Sequence, residues 1–145
     1  MVDMSTEFKS IFGRLRKVLQ RHSGNLFVTD DSSDRYSLAA NIGSTALQAW
    51  KGKAKRPTMP VAWVEIKKSY VSFHLMGLYG NQSLQQAMSK ELKARLHGKT
   101  CFNFKTANEK LFQELEQVTT RSIDAFRNAG YIAEAGAGTG KSKKG

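Results

Sequence analysis

Hydrophobic and polar residues alternate in two neighbouring stretches of the chain, residues 61–66 and 71–75. Period-two alternation is typical of a β-strand with one buried face. A tight turn between the stretches would let both bury the same aliphatic face in one register. Because Lys-Lys-Ser suits a two-residue turn poorly, we expect a four-residue connection. The predicted pairs are Ile66 with Val71, Val64 with Phe73, Ala62 with Leu75, Glu65 with Ser72, and Trp63 with His74.

Helical spacing predicts three main helices. The first has its apolar positions between Phe8 and Leu19, takes Ser5 or Thr6 as its cap, and ends before Gly24. The second runs from about Leu84 to Leu96, with a capping box at Ser83 and Gln86, or it divides into two short pieces that restart at Ser89. The third begins near Asn108, after a capping box formed by Thr106 and Glu109, and Gly130 ends it. Two further strands are predicted at Tyr36–Ile42 and, more weakly, at Leu26–Thr29.

These elements predict one α+β domain over residues 1–133, with an antiparallel sheet of four to five strands. The first and third helices should pack on the aliphatic face. Residues 43–60 are expected to form a basic connector loop inside the domain. Residues 134–145 are rich in glycine and lysine, which predicts a disordered tail.

Two segments carry a resemblance to a known family. IKKSYVSFHLMGLYG (residues 66–80) and SKELKARLHGKTCFNFK (residues 89–105) resemble the YdhG-like family of small bacterial proteins of unknown function. The resemblance implies an α+β domain with an antiparallel sheet. Some members are described as frataxin-like iron chaperones. Gly77 stands where the family pattern has a proline.

Composition indicates the cellular compartment and the chemical class of partner. The formal net charge is +11, which favours acidic partners such as nucleic acid or phosphorylated ligands. Cys101 is the only cysteine, so an intrachain disulfide is excluded. With no membrane span and no signal peptide evident, we expect a cytoplasmic protein. The histidines, Cys101 and the scattered acidic residues lack the spacing of a metal site, and the charge disfavours the iron-chaperone hypothesis.

The face opposite the aliphatic one collects aromatic and hydrogen-bonding side chains, and it is the candidate binding surface. His74 could act there as a base, bind an anion when protonated, or be structural. Cys101 could be a nucleophile or a small buried thiol. No catalytic residue, metal ligand or cofactor is predicted. The predicted ligand-binding residues are Trp63, Glu65, Lys67, Tyr70, His74, Arg95, Lys99 and Asn103.

The leading hypothesis is a non-enzymatic domain that holds an anionic small molecule or macromolecule on this face. Nonspecific association with nucleic acid through the basic helix, loop and tail is an alternative, and salt dependence would reveal it. An enzyme that uses His74 with Glu65 or Cys101 is a third, less favoured hypothesis. The frataxin-like iron chaperone is the fourth.

Overall fold

The computed structural model describes residues 4–24, 26–43, 58–78, 81–98 and 100–133. The helices are α1 (Met4–Gln20), α2 (Gln82–Ala87), α3 (Lys90–Lys93) and α4 (Glu109–Asn128), with a 3-10 turn at Met76–Leu78. The strands are β1 (Phe27–Asp31), β2 (Arg35–Ile42), β3 (Thr58–Ile66), β4 (Val71–Leu75), β5 (Leu96–His97), β6 (Cys101–Phe104) and β7 (Ile132–Ala133). The predicted tail at residues 134–145 and most of the predicted connector, residues 44–57, lie outside the described residues.

The strands form one antiparallel sheet in the order β1-β2-β3-β4-β6-β5, and β7 pairs with the end of β2. The predicted α+β class and antiparallel sheet are confirmed. Five of the strands have four or more residues, which corresponds to the four to five predicted. The other two, β5 and β7, have two residues each. Two residues are too few to show an alternating pattern, so the sequence did not reveal them.

The β3–β4 hairpin has the predicted register at all five pairs. Residues 67–70 connect the strands, as expected for a four-residue connection. The Lys67 N–H donates to the Tyr70 carbonyl at 2.8 Å, which closes the turn. Burial of Val64, Phe73 and their neighbours fixes this pairing, because a slip by one residue would bury Glu65 instead.

A β-bulge changes the start of β3. The pairing with β2 shifts between Leu38 and Ala39, so Leu38 pairs with Ala62 whereas Ala39 pairs with Pro60. Val61 has no partner in β2 at the shift and is 1% exposed, whereas strict alternation over residues 61–66 would place it on the same face as Trp63. Thr58–Pro60 belong to β3, so the predicted connector was three residues too long at its end. A bulge tolerates proline because one residue there needs no ladder bond.

The hydrophobic core lies between the helices and one face of the sheet. Helices α1 and α4 pack on that face, as predicted, and Phe73, Phe102 and Phe104 are almost completely buried beneath them. Burying a side chain of this size contributes about 1.5–3 kcal/mol. The 3-10 turn also packs against α4, where Gly77 lies so close to Ser122 that a Cβ atom would overlap it.

The caps of three helices differ from those predicted, whereas the division of the middle helix agrees with one of the two predicted arrangements. The middle helix divides into α2 and α3, the second of the two arrangements considered, and Ser89 caps α3. Asn81 caps α2 and Asn108 caps α4, although the sequence indicated Ser83 and Thr106. An asparagine side chain caps a helix about as well as a serine does, by accepting a hydrogen bond from the backbone N–H three residues later. The local sequence was therefore compatible with a cap at either residue. Helix α1 begins at Met4, so its predicted caps Ser5 and Thr6 lie inside it.

Two glycines have positive φ angles, one in the turn between β5 and β6 and the other after α4. Gly98 and Gly130 have φ angles of 77° and 84°, a region that favours glycine. Gly130 ends α4 as predicted. Within the described residues, none of the helices combines the length and the apolar character needed to cross a bilayer.

Candidate ligand-binding surface

The side of the sheet opposite the helices, here called the polar face, carries two rows of side chains that run across the strands. The first row consists of Arg35, Glu65, Ser72, Asn103 and Arg95, the last joined by a backbone hydrogen bond from Asn103 N–H to the Arg95 carbonyl. The second row consists of Ser37, Trp63, His74, Cys101 and His97. The antiparallel register therefore brings together residues that are up to 68 positions apart in sequence, as between Arg35 and Asn103.

An aromatic stack occupies the centre of the polar face. The rings of Trp63 and His74 are nearly parallel, at 16°, with centroids 4.4 Å apart. The guanidinium carbon of Arg35 lies 5.9 Å from the Trp63 centroid. Because β2 and β4 flank β3, Arg35 and His74 approach the indole from opposite sides. Trp63 therefore presents mainly its edge to a ligand, and not an open ring face.

Glu65 is held by cations on two sides. Its Oε1 accepts from Arg35 Nη1 at 2.9 Å and contacts Lys67 Nζ at 3.1 Å. Arg35 Nε also lies 3.5 Å from a carboxylate oxygen of Asp30. Exposed ion pairs of this kind contribute little to stability, but together they fix the orientation of the Arg35 and Glu65 side chains. Glu65 is therefore engaged with Arg35 and Lys67, and its direct contacts do not include His74.

A chain of hydrogen bonds links four polar side chains of the two rows. His74 Nε2 lies 2.8 Å from Ser72 Oγ, which lies 3.1 Å from Cys101 Sγ, and the thiol donates to Asn103 Oδ1 at 3.3 Å. An amide oxygen can only accept, so one continuous direction runs from a His74 Nε2–H through the hydroxyl and the thiol to Asn103. This direction requires a proton on Nε2, which the neutral Nε2–H tautomer and the imidazolium both carry.

The environment of His74 favours that neutral form. Burial lowers the pKa of His74 from its usual 6.5, and the nearby ammonium of Lys67 lowers it further, against an opposing effect of Glu65. Taking an imidazolium out of water is costly without a close anion, and Glu65 is already engaged with two cations. An anion bound beside His74 would reverse this balance and raise the pKa of the ring.

Seven of the eight predicted site residues are described, and most belong to the polar face. Trp63, Glu65, His74 and Asn103 lie in the two rows, and Arg95 ends the first row. Lys67 and Tyr70 lie in the connection between β3 and β4. The Lys67 ammonium contacts Glu65 and so lies on the side of the polar face. Lys99 lies outside the described residues.

The sequence interpretation missed Arg35 and the linking role of Ser72. Arg35 was left out because β2 was expected to start at Tyr36, although it lies two positions before Ser37 and so shares its face. That spacing was a usable signal. The contact of Ser72 with Cys101 depends on strand pairing between β4 and β6, which no local pattern specifies. Its contact with His74 joins two residues of β4 that are two positions apart and share a face.

The α1 arginines, by contrast, are engaged in ion pairs with the protein itself. Arg14 bonds to Glu109 and Glu116, which raises its pKa, and Arg21 just after the helix also bonds to Glu116 at 2.7 Å. Arg16 contacts Asp31 at 2.5 Å. The basic helix is therefore less available to an acidic partner than its sequence indicates.

Metal ligands do not cluster in the part of the chain that the structure describes: no group of three or more His, Cys, Asp or Glu side chains could hold an ion. Three aspartates lie close together in sequence within residues 30–34, where Asp30 contacts Arg35 and Asp31 contacts Arg16. Asp34 accepts from the Ser32 hydroxyl in the turn between β1 and β2. The three aspartates therefore stabilise the turn between β1 and β2 through their contacts with Arg35, Arg16 and Ser32.

No protein-family model, no curated protein and no solved structure matches the chain. The YdhG-like resemblance of residues 66–80 and 89–105 therefore stays a prediction, and a function for this chain can be inferred only from its sequence and geometry.

Proposed function

We propose that the protein is a non-enzymatic binding module that holds an anionic ligand or partner on the polar face. The observation that carries the proposal is the pair of side-chain rows, which gathers cations, an amide and an aromatic stack on the sheet face opposite the described helices. A rigid sheet is a suitable support for such a surface because its register fixes the side chains before a ligand arrives.

Charge supports an anion at the β6 side of this surface. Arg95 is half-buried beside Asn103, and within the described residues it makes no ion pair. Lys105 is exposed at the end of β6, two positions from Asn103. Glu65, the only carboxylate in the two rows, already contacts Arg35 and Lys67. A positive surplus therefore remains near Asn103 and His74, where an anion would find amide and imidazole donors.

The coupling to His74 gives the proposal a sharp test. An anion beside the ring should be bound more tightly as the pH falls and the imidazole becomes protonated. We would screen nucleotides, phosphorylated metabolites, and short DNA and RNA by thermal shift at low and physiological salt, and then measure the affinity of the best ligand at pH 5.5 and 7.5. Trp50→Phe leaves Trp63 as the only tryptophan, so its fluorescence would report binding at this face.

We expect saturable binding that persists at physiological salt and is weakened by Trp63→Ala, His74→Ala and Arg95→Ala. His74→Ala should also remove the pH dependence. Lys110→Ala removes one positive charge from exposed helix surface and is the matched control, with affinity unchanged. Binding only to polyanions, lost with added salt and equally reduced by Lys110→Ala, would refute a specific site and favour the nucleic-acid hypothesis.

A further inference from the structure

A cavity lies apart from the polar face, between the end of α4 and the segment that enters α2. Its volume is about 450 Å³, and its lining includes Gly77, Asn81, Gln82, Phe126 and Tyr131. We call it the α4 cleft. Pockets of this size accommodate small organic ligands. Of the described residues that line it, none carries a charge at neutral pH, so the cleft suits an uncharged ligand.

One wall of the α4 cleft is an aromatic pair. The rings of Phe126 and Tyr131 are stacked, with centroids 5.3 Å apart and 26° between their planes. Phe126 packs against the core, whereas Tyr131 is 39% exposed. Phe126 therefore supports one side of the tyrosine ring and leaves the other side for a ligand. A large exposed aromatic side chain in a cavity is a common anchor for flat ligands.

The backbone holds Tyr131 firmly at this position. Its N–H donates to the Phe126 carbonyl at 3.1 Å, and its carbonyl accepts from the Gly43 N–H at 2.9 Å. Gly130 adopts φ 84° on one side, and β7 pairs with β2 on the other. Gly43 approaches Gly130 so closely that a Cβ atom at residue 43 would overlap its carbonyl. Tyr131 is thus fixed before any ligand binds, which reduces the entropic cost of binding.

The opposite wall supplies amide groups. The Asn81 side-chain oxygen accepts from Leu84 N–H at 3.1 Å and from the Ser83 hydroxyl at 3.1 Å, so its NH₂ group is the part that can serve a ligand. Gln82 is exposed beside it and offers both a donor and an acceptor. A ring that stacks on Tyr131 would direct its edge towards these amides.

We propose that the α4 cleft binds a flat, uncharged heteroaromatic ring that carries amide-like hydrogen-bonding groups, such as a nucleobase or a nicotinamide ring, stacked on Tyr131. This site is separate from the polar face and does not depend on the function proposed above. Four features of the cleft support this assignment: its size, its uncharged lining, the prearranged aromatic ring and the amides opposite that ring.

The test is a titration of the ¹⁵N-labelled full chain with adenine, uracil and nicotinamide, monitored by amide chemical shifts. Cyclohexanecarboxamide has the amide without the aromatic ring, and nicotinate has the aromatic ring with a charge, so both serve as matched probes. We expect at least one of the three rings to cause saturable shifts at residues 81–83 and 125–131. The two matched probes should bind about tenfold more weakly or not at all.

Tyr131→Ala should reduce the affinity about tenfold, and Tyr131→Phe should preserve it, because stacking needs only the ring. Gln82→Ala should weaken binding without altering the fold, since the residue is exposed. Trp63→Ala on the polar face should leave the affinity unchanged. The proposal is overturned if no ring gives saturable shifts in the cleft, if Tyr131→Ala binds equally well, or if nicotinamide binds in the cleft and nicotinate binds there as tightly.

Discussion

Two glycines with opposite surroundings give the most direct test of the packing. At Gly77, a Cβ atom would overlap the backbone carbonyl and the hydroxyl of Ser122. At Gly13, in the middle of α1, a Cβ atom would meet no heavy atom within 4 Å apart from the adjoining backbone of its own helix. The same chemical change, Gly→Ala, should therefore have opposite effects on the free energy of unfolding at the two positions.

Overpacking a filled interior lowers the free energy of unfolding by about 1–3 kcal/mol. Replacing glycine by alanine also lowers the entropy of the unfolded chain, which raises the free energy of unfolding by about 0.4–1 kcal/mol. Gly77→Ala should therefore lower the free energy of unfolding by about 1–2 kcal/mol. Gly13→Ala should raise it by about 0.8–1 kcal/mol, because alanine is the better helix former. Urea denaturation would measure both, and an unchanged m value would attribute the difference to stability.

A second substitution separates the two contacts at Gly77. Ser122 Oγ is buried and has no hydrogen-bond partner among the described residues, so Ser122→Ala should be neutral or slightly stabilising. In that background Gly77→Ala should cost about 0.5–1 kcal/mol less, because only the carbonyl contact remains. If Gly77→Ala proved as stable as Gly13→Ala, the close packing of the 3-10 turn on α4 would be refuted.

Two further predictions concern pH and helix capping. The pKa of His74 and that of His22 are both lowered on folding, mainly by burial, so the unfolded chain binds more protons and stability should fall as the pH drops below about 6.5. His74→Gln should reduce this slope in denaturation curves between pH 7.5 and 5, and an unchanged slope would contradict the burial of the ring. Asn108→Ala should destabilise the protein by about 1 kcal/mol through loss of the α4 cap, whereas Thr106→Ala should change stability by under about 0.5 kcal/mol. The reverse order in thermal melts would support the capping box that the sequence indicated.

The hairpin was predictable because its information is local and redundant. Each of the five β3–β4 pairs agrees with burial of one aliphatic face, so an alternative register would have violated the pattern at several positions at once. The polar face followed from the same alternation, which is why Trp63, Glu65 and His74 were found. Arg35 was missed only because the strand begins one residue earlier than expected.

Features that depend on distant partners were not predictable. The pairing of β7 with β2 brings Ile132 beside Ile42, and nothing in either segment specifies the other. The α4 cleft depends on this closure, since it positions Tyr131. In the same way, the ion pairs of Arg14 with Glu109 and Glu116 depend on the packing of α1 on α4, so charge alone suggested a more available basic helix.

The strand order also has a consequence for how the chain folds. Strands β1 to β4 form a meander in which each pairs with its neighbour in sequence, so this half of the sheet can assemble through mostly local contacts. The β7–β2 pairing must instead close a loop of about ninety residues, an entropic cost that is recovered only after the core has formed. The final strand should therefore dock late and open first, and native-state hydrogen exchange should be faster at Ile132 than at Phe73.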